Sequence, residues 1–257
     1  MTKKIIFFDT ETTGNTDKDF LCQIAFKEMG GESFSGLYKP PIKIPPEASA
    51  VHHISNKMIE DKPSFNENPD HQKIKDLFEN PENVVVAHNA IFDLAMLKKE
   101  NINPINFICT LRVARFLDKE GKIEKYNLQY LRYLLEIEVE AQAHDALGDV
   151  LVLEKLFERL LDKIMREKID STEQREALSP NASEEAFREA INQMIEISSH
   201  PTILKIINFG KYNGQEIKSI ASSDRGYLEW LLKQKEESDQ IDEDWIYTLR
   251  HYLGMLQ

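Results

Sequence analysis

The sequence predicts an α/β protein: a mixed sheet covered by helices, followed by a smaller second domain. Three observations predict it. Apolar runs of strand length come first as a meander. Strand-like runs then alternate with stretches of helical spacing, the order that places helices over a sheet. A polar, acid-rich stretch at 166–182 then precedes a fresh amphipathic helix, which divides the chain into residues 1–168, a linker 169–182 and a domain 183–257.

The first strand is read from Ile5-Ile6-Phe7-Phe8, four consecutive large apolar residues of the kind that fill a strand buried on both faces. FLCQIAFKE (20–28) and ESFSGLYK (32–39) continue the meander, joined by a hairpin across Met29-Gly30-Gly31. Residues 40–69 are proline-rich and read as an irregular, extended surface segment. NVVVAHNA (83–90) supplies a buried strand, and IFDLAMLKKE (91–100) has helical spacing at Ile91, Leu94, Ala95 and Leu97. NFICT is a further strand and TLRVARFLD a helix, while NLQYLRYLLEIE and AHDALGDVLVLEKLFERLLDKI complete a helical second half. Ser183 is the expected cap of the helix EEAFREAINQMIEI. In the last part, Asn213-Gly214 within FGKYNGQEI signals a type I′ hairpin, and SDRGYLEWLLKQ a helix.

Composition narrows the function classes. A net charge of −12 argues against a protein that coats nucleic acid by bulk charge, but it leaves room for an enzyme with a local basic groove. The two cysteines, Cys22 and Cys109, have no paired spacing and read as buried reduced thiols, which suits the cytoplasm. Lys3 and Lys4 precede an apolar run too short for a signal peptide. No stretch approaches a membrane span, so no membrane partner is expected.

The chemistry lies in four acids and a histidine. Asp9 and Glu11 end the first strand, and residues two apart on a strand share a face, so both carboxylates converge on one point. Such a pair at the end of an apolar strand calls for a cation. Asp93 opens a helix directly after a buried strand. His144 and Asp149 stand five apart, about 140° around a continuous helix at 3.6 residues per turn, so they serve one site only if His144 lies in the entering loop or first turn. Oxygen ligands alone favour Mg²⁺ or Mn²⁺, and two such ions would clamp the two oxygens of an in-line phosphoryl displacement. A histidine beside them would act as general base.

DTETTG, HNAIFDLAML and HDALGD, in that order, resemble the three motifs of the DEDDh 3′–5′ exonucleases over about residues 3–162. The resemblance implies a ribonuclease-H-like sheet of strand order 3-2-1-4-5. It implies metal ligands Asp9, Glu11, Asp93 and Asp149, two Mg²⁺ or Mn²⁺ ions, and His144 as the base that activates water. Thr12, Thr13 and Gly14 would border the terminal nucleotide, with Asn89 and Phe92 along the substrate groove. AVHHIS looks like the family's VHGIT stretch and would bring His52 near the site; an ordinary loop histidine is the alternative. His53 stands where the family commonly has glycine, and Cys109-Thr110 where it often has Asp-Thr.

FGKYNGQ through DRGYLEWLL resembles the C-terminal domain of exodeoxyribonuclease X-like proteins and tilts the expected substrate toward DNA. Residues 201–235 hold six Lys/Arg against three acids. Their aromatics form either the core of a small domain or a stacking platform for single strands, with Lys211, Lys218 and Arg225 as candidate phosphate contacts. The sequence therefore predicts a divalent-metal 3′–5′ exonuclease acting on DNA 3′ ends, preferably single-stranded. RNA trimming with the same residues is the nearest rival reading. A polymerase- or repair-associated binding module is the reading from another class.

Overall fold

The structure is a computed structural model that describes residues 4–139, 146–171, 180–238 and 242–256. Strands β1 (Ile5–Thr12), β2 (Leu21–Glu28) and β3 (Ser33–Leu37) form the antiparallel meander. β4 (Val84–Ala87) runs parallel to β1, and β5 (Phe107–Cys109) parallel to β4, which gives one five-stranded mixed sheet of order β3-β2-β1-β4-β5.

The period-two alternation of the strands builds two cores. Ile5, Phe7, Val84, Val86 and Ile108 face one side, where α4 (Thr110–Leu117), α5 (Leu128–Leu134), α6 (Ala146–Ser171) and α7 (Pro180–Ser199) cover them. Ile6, Phe8, Val85, Ala87 and Cys109 face the other, under α2 (Pro69–Phe78) and α3 (Ala90–Lys99). On α6 the buried positions Ala146, Val150, Leu153, Phe157 and Leu160 recur at helical spacing, and the Phe157 ring meets Phe7 edge-on at 5.2 Å. Glu154 of α6 also takes Lys27 of β2 at 2.7 Å. Both cysteines are buried and unbridged.

Several elements differ from the sequence reading. Residues 40–69 are not wholly irregular, because α1 (Pro46–His52) forms there with Pro46 at its first position, where a missing N–H is no loss. α2 was not anticipated, although Asn68 caps it through Asp70 N–H at 2.9 Å and Pro69 occupies the first turn. α5 stops at Leu134 because Glu136 turns left-handed (φ 51°) and Ile137 N–H closes back on Arg132 O at 2.8 Å. α7 starts at Pro180, three residues ahead of Ser183, again with proline at the first position.

β6 (Ile206–Ile207) and β7 (Gln215–Glu216) pair antiparallel, but their connection is no two-residue type I′ turn. Asn213 (φ −52°, ψ 128°) and Gly214 (φ 80°) adopt the dihedrals of a type II turn, which needs a positive φ only at its second residue. α8 (Ile217–Ser223), α9 (Arg225–Glu236) and α10 (Glu243–Tyr252) pack with this hairpin around Ile207, Ile220, Leu228, Trp245 and Leu249. Phe209, Tyr212 and Tyr227 lie against that core. Among the described residues, no helix is long and apolar enough to cross a membrane.

α7 packs into the first core through Ala190, Ile191 and Met194, and Ser198 Oγ accepts from Cys109 N–H at 2.7 Å, so the β5 edge of the sheet is covered. Beyond α7, a buried ionic network joins the two parts. Arg112 of α4 donates to Asp244 at 3.1 Å, to Glu243 at 2.7 Å and to Ser198 O at 2.8 Å, while Arg115 pairs with the same Asp244. Arg112 and Asp244 are each 4% exposed at the side chain. His88, just after β4, is a second strut. Its Nε2 donates to Tyr126 O at 2.6 Å, its Nδ1 meets Thr110 Oγ1 at 2.9 Å, and burial pushes its pKa down to about 4.

Two predictions follow from these struts. Asp244→Ala would leave two arginines at the junction without their shared counter-charge and should cost about 3–5 kcal/mol of stability in denaturant melts; a loss under about 1 kcal/mol would mean that water compensates the pair. His88 is neutral in the fold but charges readily once unfolded, so its share of stability is present above the unfolded pKa and is lost as pH falls from about 6.5 toward about 4. His88→Gln should flatten that part of the stability–pH curve, and an unchanged acid slope would contradict the assignment.

Candidate active site

β1 alternates faces, and its odd-numbered residues continue into the acids. Asp9 and Glu11 therefore point to the α6 side of the sheet, past Ile5 and Phe7. Asp149 sits one turn into α6, between Ala146 and Val150, whose burial turns that helix face to the sheet. One carboxylate oxygen from each of Asp9, Glu11 and Asp149 lies within 4.8 Å of the other two. Three carboxylates at that spacing repel one another, and a divalent cation relieves the repulsion. The donor set is oxygen only, so it fits Mg²⁺ or Mn²⁺ rather than zinc.

Asp93 takes a different position. It rises from α3 on the opposite face, where the even-numbered Thr10 meets it. Thr10 N–H and Oγ1–H both donate to Asp93 Oδ1, at 3.1 and 2.6 Å. The side chain is buried (3% exposed), and burial pushes its pKa up to about 7 against the pull of those hydrogen bonds. The structure thus groups three of the four expected ligands and holds the fourth carboxyl against the strand beside them. His144 lies outside the described residues.

The loop after β1 is closed by Asp19. Its carboxylate accepts from Thr13 Oγ1 at 2.8 Å, Thr16 N–H at 2.9 Å and Thr16 Oγ1 at 2.7 Å. Burial raises its pKa, but these hydrogen bonds outweigh burial and hold the group below the ordinary carboxylate range. A Cβ at Gly14 would stand 2.6 Å from Asp19 Oδ2, so the glycine makes room for the clasp. Thr12 Oγ1 donates to Gly14 O, and Lys99 of α3 ties the loop through Asp19 O at 2.7 Å. Thr12, Thr13 and Gly14 hence follow Glu11 directly, with both threonine hydroxyls and the Gly14 carbonyl engaged within the loop.

His52 is buried and belongs to this frame. Ile54 N–H donates to Nδ1 at 3.1 Å, so the proton is on Nε2, which donates to Thr12 O at 3.2 Å; burial lowers its pKa. His53 takes the left-handed position after α1 (φ 63°), a conformation that glycine adopts freely, which is why the glycine of the resembling stretch suits that place. Asn89 caps α3 in the same left-handed region and is exposed, and Phe92 is half-buried beside Asp93 in sequence. In the C-terminal part Lys211 pairs with Asp224 at 3.1 Å, Arg225 pairs with Glu229 at 2.8 Å, and Lys218 is exposed.

One contact was missed from sequence. Gln129 of α5 donates from Nε2 to Asp149 Oδ1 at 2.5 Å. The two residues are twenty apart, and no local motif joins them.

Comparison with known proteins agrees with the motifs. The exonuclease family profile matches residues 6–157, and the profile of the exodeoxyribonuclease X-like C-terminal domain matches residues 207–236. Exodeoxyribonuclease 10 of Escherichia coli K12 is 30% identical over 220 residues, covering 85% of this chain and 84% of that protein. The DNA polymerase III epsilon subunit of Buchnera aphidicola is 30% identical over 178 residues, 61% of this chain and 73% of its own. Among solved structures, exonuclease X in complex with 5′-overhanging duplex DNA superposes with a TM-score of 0.52 at 24% identity, over 76% of this chain and 99% of that one. Escherichia coli exonuclease I with a dT13 oligonucleotide gives 0.55 at 20% identity, over 66% and 43%; at these identities the likeness speaks for the fold. The profile spans the strand with Asp9 and Glu11, the helix with Asp93 and the start of the helix with Asp149, and the chain belongs to the exonuclease family.

Proposed function

We propose that the chain removes nucleotides from the 3′ end of DNA, single strands most readily, with two Mg²⁺ or Mn²⁺ ions at Asp9, Glu11, Asp93 and Asp149. The observation that carries the reading is the convergence of Asp9, Glu11 and Asp149 within 4.8 Å at the end of β1. DNA as substrate is supported by the relation to exodeoxyribonuclease 10.

Bound divalent ions would supply positive charge to the attacking and leaving oxygens of an in-line displacement. The protein's part is to hold that charge in place. Asp9 and Glu11 do so from a strand anchored on both faces, and Asp149 from a helix fastened across the same strand. Asp93, held by the N–H and hydroxyl of Thr10, would add the fourth acid from the residue next to Asp9 in the strand. His144 accepts the proton of the attacking water. An open groove of about 520 Å³, lined by Lys125, Asn127, Gln129, Tyr130, Tyr133 and Leu134, adjoins Asp149 through Gln129 and suits a strand whose bases stack on tyrosine. In the C-terminal part Lys218 is available to a phosphate, whereas Lys211 and Arg225 would have to exchange their ion pairs for one.

The direct test is a time course on 5′-labelled single-stranded DNA and matched RNA, with Mg²⁺ or EDTA. A Mg²⁺-dependent ladder that shortens from the 3′ end, faster on DNA, is expected; a faster RNA ladder would move the substrate to RNA. Asp9→Ala should lower the rate by more than the roughly 10–100-fold typical of losing a mere outer-shell partner. Because it removes one of three mutually repelling charges, its melting temperature in EDTA should equal or exceed that of the parent. Substantial activity in this variant would refute the two-ion assignment. His144→Ala should lose about 10²–10⁴-fold in rate and the acid limb of the pH–rate profile while still binding Mn²⁺; an unchanged profile would remove histidine as the base.

A further inference from the structure

α5 is seven residues long and anchored by Leu131. Leu131 is buried in the core beneath α6, Tyr133 is 76% exposed, and Gln129 projects to the carboxylate of Asp149. The amide has a defined orientation. Arg132, one turn along, donates from Nη1 to Gln129 Oε1 at 3.5 Å, which leaves Nε2 for Asp149 Oδ1 at 2.5 Å. Arg132 is itself fastened, since its Nη2 donates to Val139 O at 2.6 Å and its guanidinium lies over the Tyr133 ring at 5.7 Å. The guanidinium thus donates both to the backbone carbonyl after α5 and to the Gln129 amide, and the amide donates in turn to one oxygen of a candidate metal ligand.

The chemistry of the residue at 129 is selective. A lysine or arginine there would set a fixed positive charge against the site and compete with the ion. An acid would add a further carboxylate to a cluster that is already crowded with like charge. A neutral donor does neither. It ties one carboxylate oxygen, restricts rotation of the group, and lets the carboxylate enter the cluster in one orientation.

We propose that Gln129 is a positioning residue for Asp149, with Arg132 holding the amide the right way round; this rests on Asp149 being a metal ligand, as argued above. Partners of this kind typically change metal affinity or activity by about 10–100-fold when removed. The role differs from a packing role because it acts on the ion first, so excess metal should repair the defect.

The test uses the full-length protein and its Gln129→Met variant, which keeps length and helix propensity but has no donor. Mn²⁺ binding to metal-free protein is followed by electron paramagnetic resonance, alongside the Mg²⁺ dependence of cleavage and melting in EDTA. The expected result is Mn²⁺ affinity weakened by about 10–100-fold, a Mg²⁺ midpoint raised in step, kcat largely restored at saturating Mg²⁺, and an unchanged melting temperature. Arg132→Met, which leaves Gln129 in place, should raise the Mg²⁺ midpoint in the same direction by a smaller factor, and it serves if Gln129→Met folds poorly. Parental Mn²⁺ affinity and Mg²⁺ midpoints in both variants would overturn the proposal. Asp149→Asn separates the two levels of inference. If it binds Mn²⁺ like the parent, the metal reading of Asp149 fails; if it loses Mn²⁺ while Gln129→Met keeps it, only the role of Gln129 fails.

Discussion

The alternation of side chains along β1 is the constraint on which the rest depends. With Ile5 and Phe7 committed to the α6 face and Ile6 and Phe8 to the α3 face, the next residues have no freedom of side. Asp9 and Glu11 must meet α6, and Thr10 must meet α3. The acids of the candidate site are thereby sorted by the strand itself. One group gathers with Asp149, and Asp93 is met by Thr10. Burial of the four apolar residues is worth roughly 1.5–3 kcal/mol each, which is ample to hold the strand in register against the mutual repulsion of the acids at its end.

The second part of the molecule is attached by chemistry of another kind. Its own core closes around Trp245 and Leu249, yet its α10 offers Asp244 to two arginines of α4. A buried ionic junction is a poor source of net stability but a demanding one in geometry, because each partner must be matched or left uncompensated. The arrangement orients the C-terminal hairpin and helices relative to the sheet. Arg115, which shares Asp244, also lies over Tyr126, whose carbonyl receives His88. The junction and the end of β4 are consequently parts of one connected framework.

Much of this was legible in the sequence, and the remainder was not for physical reasons. The meander, the first strand buried on both faces and the convergence of Asp9 and Glu11 follow from local patterns, since apolar periodicity and the position of the acids are properties of neighbouring residues, whereas the strand order was implied only by the resemblance of the three motifs to the exonuclease family. α2 was legible in principle, because Asn68-Pro69 is a capping signal, but the proline-rich run before it masked the signal. The early end of α5 was not, since Glu136 adopts a left-handed conformation without being glycine and only the burial of Ile137 explains it. The turn at Asn213-Gly214 needed the longer connection to β7 to be known before its type could be assigned. The destination of Asp93 and the contact of Gln129 with Asp149 are tertiary facts that no spacing rule encodes.

The clasp of Gly14 by Asp19 has a consequence for how this loop can change over evolutionary time. Any side chain at 14 needs the space that the Asp19 carboxylate occupies, and any retreat of Asp19 releases Thr13 and Thr16 together. Positions 13, 14, 16 and 19 are therefore coupled through one carboxylate, and a change at one of them bears on the others. Glu11 lies two residues before that block. Substrate preference in relatives would then diversify at residues outside the clasp, where a substitution alters the groove without moving a carboxylate.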